Sequence, residues 1–365
     1  MKNLIWDGTT KIPSDVGVIL FNYEFNKEIR PREIPEHVKI IHMRGSFNQS
    51  LRNILPSNLT HLFLGNGYRQ KINSSMFPDS LIELHMGRVY SKKIVVGTLP
   101  NFLEKLSLSS NYNHPIHHEI FPLTLKELRL GDEYNHRFDE NSLPKKLEKL
   151  RLSMEYSYML RKDVFPSTLT DLDMGCAYNF GMDETSLPST LKKLQISWSY
   201  DRPITPNVLP KNLVELDLGF RYDYLINHKI LPKNLKKLHL SWKYNHAIRA
   251  DTLPDSIEYL ELNEGYTCDI DHRYLPTKLS YIKVCWDYQL KLFNDMTQYL
   301  YFFIIYTGPL YYEHYLTYPI LFLKNKPFND AFQIIGSKII DNEEYVILIN
   351  PRTAKLKNMG KSAII

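Results

Sequence analysis

A proline recurs along this chain at an almost constant interval. It stands at thirteen positions, and eleven of the twelve intervals between them are 22 residues, the exception being the 21 residues from Pro35 to Pro56. The series runs Pro13, Pro35, Pro56, Pro78, Pro100, Pro122, Pro144, Pro166, Pro188, Pro210, Pro232, Pro254 and Pro276. A fixed period of this length is typical of repeat proteins, in which each unit packs only against its neighbours. We therefore expect residues 1–292 to form one solenoid of thirteen units.

We number the proline of each repeat as position zero. Six further positions then carry the same type of side chain in every repeat. The residue before the proline and positions +3, +6, +8 and +16 are apolar, and position +12 is always aromatic, from Phe25 to Tyr288. The pair at +6 and +8 has a period of two, so both side chains lie on one face of a short strand. The proline and the polar residues after it favour a tight turn. The pattern predicts a leucine-rich-repeat-like solenoid with a parallel β-sheet on its concave face.

The repeat stops after Leu292, and residues 293–365 have a different composition. The last unit of a solenoid exposes its apolar face, so a covering element is needed there. The stretch AFQIIGSKIIDNEEYVILINP reads as two strands around the turn Asp341–Glu343. We expect a small C-terminal cap, either α/β or a β-hairpin. The alternative is an accessory module with a docking function of its own.

The consensus LPxxLxxLxLxxxYNxxI resembles the FNIP repeat, which is found in giant viruses of amoebae and in social amoebae. The segments YNHPI at 112–116 and YNHAI at 244–248 are close to the motif that names the family. The resemblance implies a protein-interaction scaffold, with a host protein as partner if the source is a virus. Some members carry an F-box before the repeats, which implies the alternative of a substrate-recruiting subunit of a ubiquitin ligase. Only eleven residues precede the first unit here, so no N-terminal F-box is expected.

Position +5 alternates in charge over eight consecutive units. The series is Glu83, Lys105, Glu127, Lys149, Asp171, Lys193, Glu215 and Lys237. Adjacent strands lie about 4.8 Å apart, so each acid falls between two bases, and an exposed pair contributes roughly 0–1 kcal/mol. We interpret the column as an ion-pair ladder that sets the register, the alternative being a charged recognition strip. Alternating signs also argue against nucleic acid as a partner.

Positions +7 and +10 vary while their neighbours do not, so they are where a partner could be specified. Tryptophan and arginine are the residues most enriched at binding hot spots. We expect +5, +7 and +9 to face the concave surface, and Trp198, Phe220 and Trp242 to lie about 5 Å apart on adjacent units. The alternative for these rings is that they cover the end of the core. The candidate partner-binding residues are Arg129, Arg151, Trp198, Phe220, His239, Trp242 and Trp286.

The sequence contains no complete motif for catalysis. His114, His117 and His118 have spacings that zinc ligands could have, but no fourth ligand stands in the same unit. The segment GKS at 360–362 lacks the glycine that a phosphate-binding loop needs at 355. We expect no enzyme activity, no cofactor and no metal.

Composition sets the remaining expectations. The formal charge of +5 over 43.1 kDa is mild, and the three cysteines form no paired motif, which favours a reducing compartment. The N-terminus has no secretory signal pattern, and the apolar run at 299–312 is too short to span a bilayer. We expect a cytoplasmic monomer, in the host cytoplasm if viral, that binds a protein and neither nucleic acid nor membrane.

Overall fold

The computed structural model describes residues 2–284, apart from 74, 141, 162, 163 and 264, and three later strands at 303–305, 333–340 and 343–349. The chain divides into two compact units, Met1–Leu213 and Val214–Ile365. Both are built from short parallel strands that recur every 22 residues or so, with almost no helix. The helical elements include short 3-10 turns such as His118–Ile120 and His272–Tyr274. The predicted parallel-sheet solenoid is therefore confirmed.

In the first unit, ten strands follow one another in chain order, and each pairs in parallel with the next. The strands are β1 Lys2–Trp6, β2 Val16–Phe21, β3 Ile40–His42, β4 His61–Phe63, β5 Glu83–His85, β6 Lys105–Ser107, β7 Glu127–Arg129, β8 Lys149–Arg151, β9 Asp171–Asp173 and β10 Lys193–Gln195. From β3 onward, each strand covers positions +5 to +7 of its repeat. Because the register repeats, equivalent residues of neighbouring repeats lie side by side.

The second unit continues the same pattern and adds a hairpin. Its strands are β11 Glu215–Asp217, β12 Lys237–His239, β13 Tyr259–Glu261, β14 Tyr281–Val284, β15 Phe303–Ile305, β16 Gln333–Ile340 and β17 Glu343–Ile349. Strands β11 to β15 pair in parallel in chain order, and β16 pairs antiparallel with β17. The two strands predicted around Asp341–Glu343 are thus present. The role of residues 293–365 as a cap stays a prediction.

The proline begins a turn that leads into each strand. The backbone N–H at +3 donates to the proline carbonyl, as from Val16 to Pro13 at 3.2 Å and from Leu125 to Pro122 at 3.2 Å. The hydroxyl at +2 then donates to the +3 carbonyl of the preceding repeat, as from Thr124 to the Leu103 carbonyl at 2.8 Å. The recurring proline is therefore explained by the turn that it begins, and the small polar residue at +2 is explained by its hydrogen bond to the preceding repeat.

The aromatic column at +12 forms the middle of the core. Its members from Tyr68 to Tyr266 are at most 2% exposed. The leucines at +3 and +6 and the apolar residues at +8 are buried around it. Fully burying one such aliphatic side chain contributes roughly 1.5–3 kcal/mol, so the stacking of repeats supplies what a single 22-residue unit cannot.

The polar residues after the aromatic link successive repeats on the other side of the core. The Asn135 side chain accepts a hydrogen bond from the Ser157 backbone N–H at 3.1 Å, and Asn245 accepts one from Thr267 at 2.9 Å. The residue at +14 bonds to the +13 carbonyl of the preceding repeat, as His136 Nε2 does to Asn113 at 3.0 Å. The asparagine and histidine of the YNH motif are therefore structural.

The expectation that position +9 faces the concave surface is wrong. Ser109, Ser153, Ser197 and Ser241 are at most 1% exposed. The Ser153 hydroxyl donates to the Tyr134 carbonyl, and the Ser241 hydroxyl donates to the Tyr222 carbonyl. The backbones of adjacent repeats approach closely at Gly131 and Gly175 of this column, which favours small residues there.

Among the described strands, β1 and β15 also lie outside the thirteen repeats, as does the hairpin of β16 and β17. Strand β1 precedes the first proline and pairs with β2, and β15 follows the last repeat and pairs with β14. Neither segment carries the proline and leucine spacing, so the repeat pattern did not predict them. Strand β1 therefore adds one strand to the sheet of the first unit, and β15 adds one to the sheet of the second.

Candidate functional site

The solvent-facing side of the strands is formed by the side chains at +5 and +7, and we call this surface of β3–β10 the sheet face. A groove of about 290 Å³ runs across it, and six consecutive strands, β5 to β10, contribute to its lining. The lining is mostly charged or polar at +5 and +7, with the backbone of the buried +6 leucines between them. Such a groove can receive an extended polar chain.

The predicted charge ladder at +5 is present in the middle of the groove. Glu127 Oε1 accepts a hydrogen bond from Lys149 Nζ at 3.0 Å, and its other oxygen lies 3.7 Å from Lys105 Nζ. The hydrogen bond to Glu127 raises the pKa of Lys149 above its usual value. In the second unit, Lys237 lies 3.7 Å from Glu215. These side chains hold one another in place, as an ion-pair ladder would.

The ladder changes at β5, where Glu83 contacts histidines. His85 Nε2 hydrogen-bonds to Glu83 Oε1 at 2.6 Å, and His61 Nε2 lies 3.7 Å from Oε2. Beside them, Phe63 stacks between His42 and His85, with ring centroids 4.0 and 4.4 Å away. Burial and the nearby Arg44 lower the pKa of His42, which favours its neutral form.

Sequence reasoning missed this three-ring stack, although its signal was present. His42, Phe63 and His85 all occupy position +7, the variable column, in three consecutive repeats. Their stacking follows from the parallel register of β3, β4 and β5.

The structure brings Arg129 and Arg151 together. They are direct partners in the register of β7 and β8, and both line the groove. Arg151 Nε lies 3.1 Å from Asp173, whereas Arg129 Nη2 is 3.9 Å from Asp132. Both side chains remain nearly half exposed, at 48% and 44%. Two cationic heads are thus available at the centre of the groove.

The aromatic candidates lie at +10, beyond the strand. Phe220 and Trp242 stack with centroids 5.8 Å apart and planes 14° apart, as expected for adjacent repeats. Trp242 is 39% exposed, and Trp198, in the first unit, is 49% exposed. Trp286 lies outside the described residues.

His239 belongs to an ion-pair cluster of the second unit. Glu261 lies between its two neighbours at +7, accepting from His239 Nδ1 at 2.8 Å and from Lys283 Nζ at 2.6 Å. Burial opposes ionisation of this carboxyl, but the hydrogen bonds from His239 and Lys283 outweigh it and lower the pKa of Glu261 to about 2. The His239 side chain therefore has a structural partner.

The histidines of the HPIHH segment do not form one group. His114 Nε2 donates to the Ser91 carbonyl at 2.7 Å, whereas His117 and His118 lie with Glu119 so that their ligand atoms are within 4.8 Å of one another. His117 and Glu119 are exposed. Glu119, which sequence reasoning did not consider, replaces His114 in the only arrangement that could hold a metal ion among the described residues.

The fold and the groove define a repeat solenoid of the leucine-rich-repeat type, a class that generally serves as a protein-interaction scaffold. The model of the FNIP repeat matches nine segments, most of them overlapping, that together extend from residue 25 to residue 284. The chain therefore belongs to the FNIP repeat family, whose solenoids are typically non-enzymatic.

Two examples represent the solved structures that are similar to this chain. CroV588, a circular leucine-rich-repeat protein of a giant virus, is 30% identical with a TM-score of 0.65 over 74% of this chain. The match spans 40% of the CroV588 chain. A chain of the Drosophila Toll–Spätzle complex is 14% identical with a TM-score of 0.51, over 85% of this chain and 45% of that one, and it shows the fold alone. No relative was found among curated protein sequences.

Several expectations stay predictions. They include the binding role of the seven candidate residues, the monomeric state, the cytoplasmic location and the ubiquitin-ligase alternative. Within the described residues, no helix has the length and apolar character that crossing a bilayer requires.

Proposed function

We propose that this chain is a non-enzymatic scaffold that binds a protein partner through the sheet face of its first unit. The observation that carries the proposal is the groove over β5 to β10, in which six neighbouring strands present polar side chains in register. The +5 side chains restrain one another through ion pairs, and the backbone beneath them is fully paired between strands. Little ordering entropy is lost when a partner binds to groups that are already held in place.

The partner is specified by position +7. Along the groove this column reads His85, Ser107, Arg129, Arg151, Asp173 and Gln195. Arg129 and Arg151 form a basic centre between His85 at one end and Gln195 at the other. An extended segment lying across the strands, which are about 4.8 Å apart, would therefore contact a different side chain on each strand. Because the core columns are separate from position +7, a change at +7 would alter which partner binds and would leave the fold unchanged.

The stacked pair Phe220 and Trp242 provides a second contact surface on the second unit. Tryptophan is over-represented at binding hot spots, and the 39% exposed Trp242 is held in place by stacking on Phe220. We propose that the same partner, or a second one, packs against them. Replacing Trp198, Phe220 and Trp242 with Ala tests this role, since loss of stability with every partner retained contradicts it.

A steric block tests the groove itself. Ser107 lies at +7 of β6 inside the groove and makes room there, so Ser107→Trp fills the groove without removing an ion pair. Asn101→Trp places the same ring on an exposed turn outside the groove and is the matched control. Both variants and the wild type are used for affinity purification from the cells of origin, followed by quantitative mass spectrometry.

We expect at least one protein to be captured by the wild type and by Asn101→Trp but lost with Ser107→Trp. Circular dichroism first establishes that both variants are folded. If Ser107→Trp retains every protein that the wild type captures, the sheet face is not the binding surface and the proposal fails.

A further inference from the structure

The sheet face carries one pair of like charges on adjacent strands. Arg129 and Arg151 are direct partners in the register of β7 and β8, on strands about 4.8 Å apart. Like charges placed opposite each other on adjacent strands are destabilising, and the +5 column of the same strands avoids this by alternating Glu127 with Lys149. Elsewhere in the described groove, neighbouring +7 residues do not share a charge.

The carboxylates of the chain satisfy this pair only in part. Arg151 Nε lies 3.1 Å from Asp173 Oδ2, and the distance of 3.9 Å from Arg129 Nη2 to Asp132 Oδ1 is too long for a hydrogen bond. Glu127, the acid on β7 itself, is already shared by Lys105 and Lys149. A guanidinium has five N–H donors, so most donors of these two heads face solvent or a ligand.

The surroundings favour an isolated carboxylate over a polyanion. The guanidinium is planar and matches a carboxylate in a two-point contact. The neighbouring strand β9 presents Asp171 and Asp173 in the same groove, and these acids would repel the evenly spaced phosphates of a nucleic acid. On the other side, Ser107 is small and leaves space beside Arg129.

We propose that Arg129 and Arg151 together bind an acidic side chain, aspartate or glutamate, of a protein segment that lies in the sheet-face groove. This inference rests on the proposed function and adds the chemistry of the contact. The carboxylate takes the place between the two guanidinium heads, and in doing so it removes their mutual repulsion.

The probe is a fluorescein-labelled, C-terminally amidated peptide of eight residues that carries one glutamate among glycines and serines, and its binding is followed by fluorescence anisotropy at low salt. We expect Arg129→Gln/Arg151→Gln to weaken binding at least about tenfold, since two charge-assisted contacts are lost. Arg129→Lys/Arg151→Lys keeps the charge but loses the two-point geometry, so its affinity should be intermediate. The matched control is Arg69→Gln/Arg202→Gln, which removes the same charge from exposed sites outside the groove.

The proposal is overturned if Arg129→Gln/Arg151→Gln and the control Arg69→Gln/Arg202→Gln weaken binding equally. Attraction to the net charge of the protein would then be enough to explain binding. It is also overturned if a single-stranded DNA of eight nucleotides binds more tightly than the peptide and depends on the same arginines. Measuring both variants by urea unfolding shows whether they are folded. Removing the like-charge pair should leave stability unchanged or slightly higher.

The captured partner separates this inference from the proposed function. A partner that is lost with Ser107→Trp but retained with Arg129→Gln/Arg151→Gln leaves the scaffold function standing and rejects the acidic contact. A partner that both variants lose supports the inference. Retention with Ser107→Trp rejects the proposed function itself, whatever the peptide does.

Discussion

A Cβ atom on Gly131 would lie 1.9 Å from the carbonyl oxygen of Ser109, its equivalent in the preceding repeat. The same approach recurs between Gly175 and Ser153, at 2.0 Å. We predict that Gly131→Ala destabilises the chain by about 2 kcal/mol or more, because the backbone must shift to admit the methyl group. Gly181→Ala, with no atom within 4 Å of its Cβ, should change stability by less than about 1 kcal/mol. Urea unfolding compares the two, and equal losses contradict the prediction.

The Tyr68 hydroxyl is buried and makes no hydrogen bond within the described residues. Removing an unsatisfied buried polar group costs nothing and can stabilise. Tyr68→Phe, which copies Phe47 at the same position, is therefore predicted to leave stability unchanged or raise it by up to about 1 kcal/mol. Tyr68→Ala should cost about 3–5 kcal/mol through the cavity it leaves. A loss above about 1 kcal/mol for the phenylalanine variant in urea unfolding would show that the hydroxyl has a partner in solution.

Burial raises the pKa of Tyr178 and of Tyr244 to about 12, against about 10 in an unfolded chain. Because the pKa is higher in the folded state, burial of the neutral phenol contributes fully to the free energy of unfolding below pH 10. That contribution is lost as the pH rises from 10 to 12. We predict cooperative alkaline unfolding in that window, with tyrosinate absorbance rising as the circular dichroism signal falls. Each tyrosine contributes up to about 3 kcal/mol. Ionisation of all the tyrosines near pH 10 with an intact circular dichroism spectrum would contradict the buried column.

The spacing of proline and leucine was enough to predict the repeats, since each core column has one chemistry and one period. The +5 ladder and the pairing of Arg129 with Arg151 follow from the same period once parallel strands are assumed. Position +9 was misjudged because serine and glycine are compatible both with an exposed face and with a close backbone approach. Composition alone does not separate these two cases.

Other features could not be read from the repeat. Strand β1 pairs through its backbone with β2, and such pairing requires no particular side-chain spacing. The bond from Ser157 to Asn135 joins two repeats in three dimensions, and a tolerant polar position in the sequence does not indicate it. The candidates at +7 and +10 were found because their columns vary, but variation does not show that Glu261 engages His239.

Glu261 connects three strands of the second unit, because it accepts hydrogen bonds from His239 and Lys283 while only 15% of its side chain is exposed. Its pKa of about 2 is below the value of about 4.3 in an unfolded chain. Because the pKa is lower in the folded state, ionised Glu261 contributes up to about 3 kcal/mol to the free energy of unfolding above pH 4.3. This contribution is lost as the pH falls towards 2. We predict that Glu261→Gln loses stability at pH 7 and that its stability falls less steeply than that of the wild type between pH 4.3 and 2. Glu258→Gln, which breaks an exposed pair with Lys236, should cost at most about 1 kcal/mol. Urea unfolding at pH 7, 4.5 and 2.5 compares the variants, and the same pH response in Glu261→Gln and the wild type would remove Glu261 as its cause.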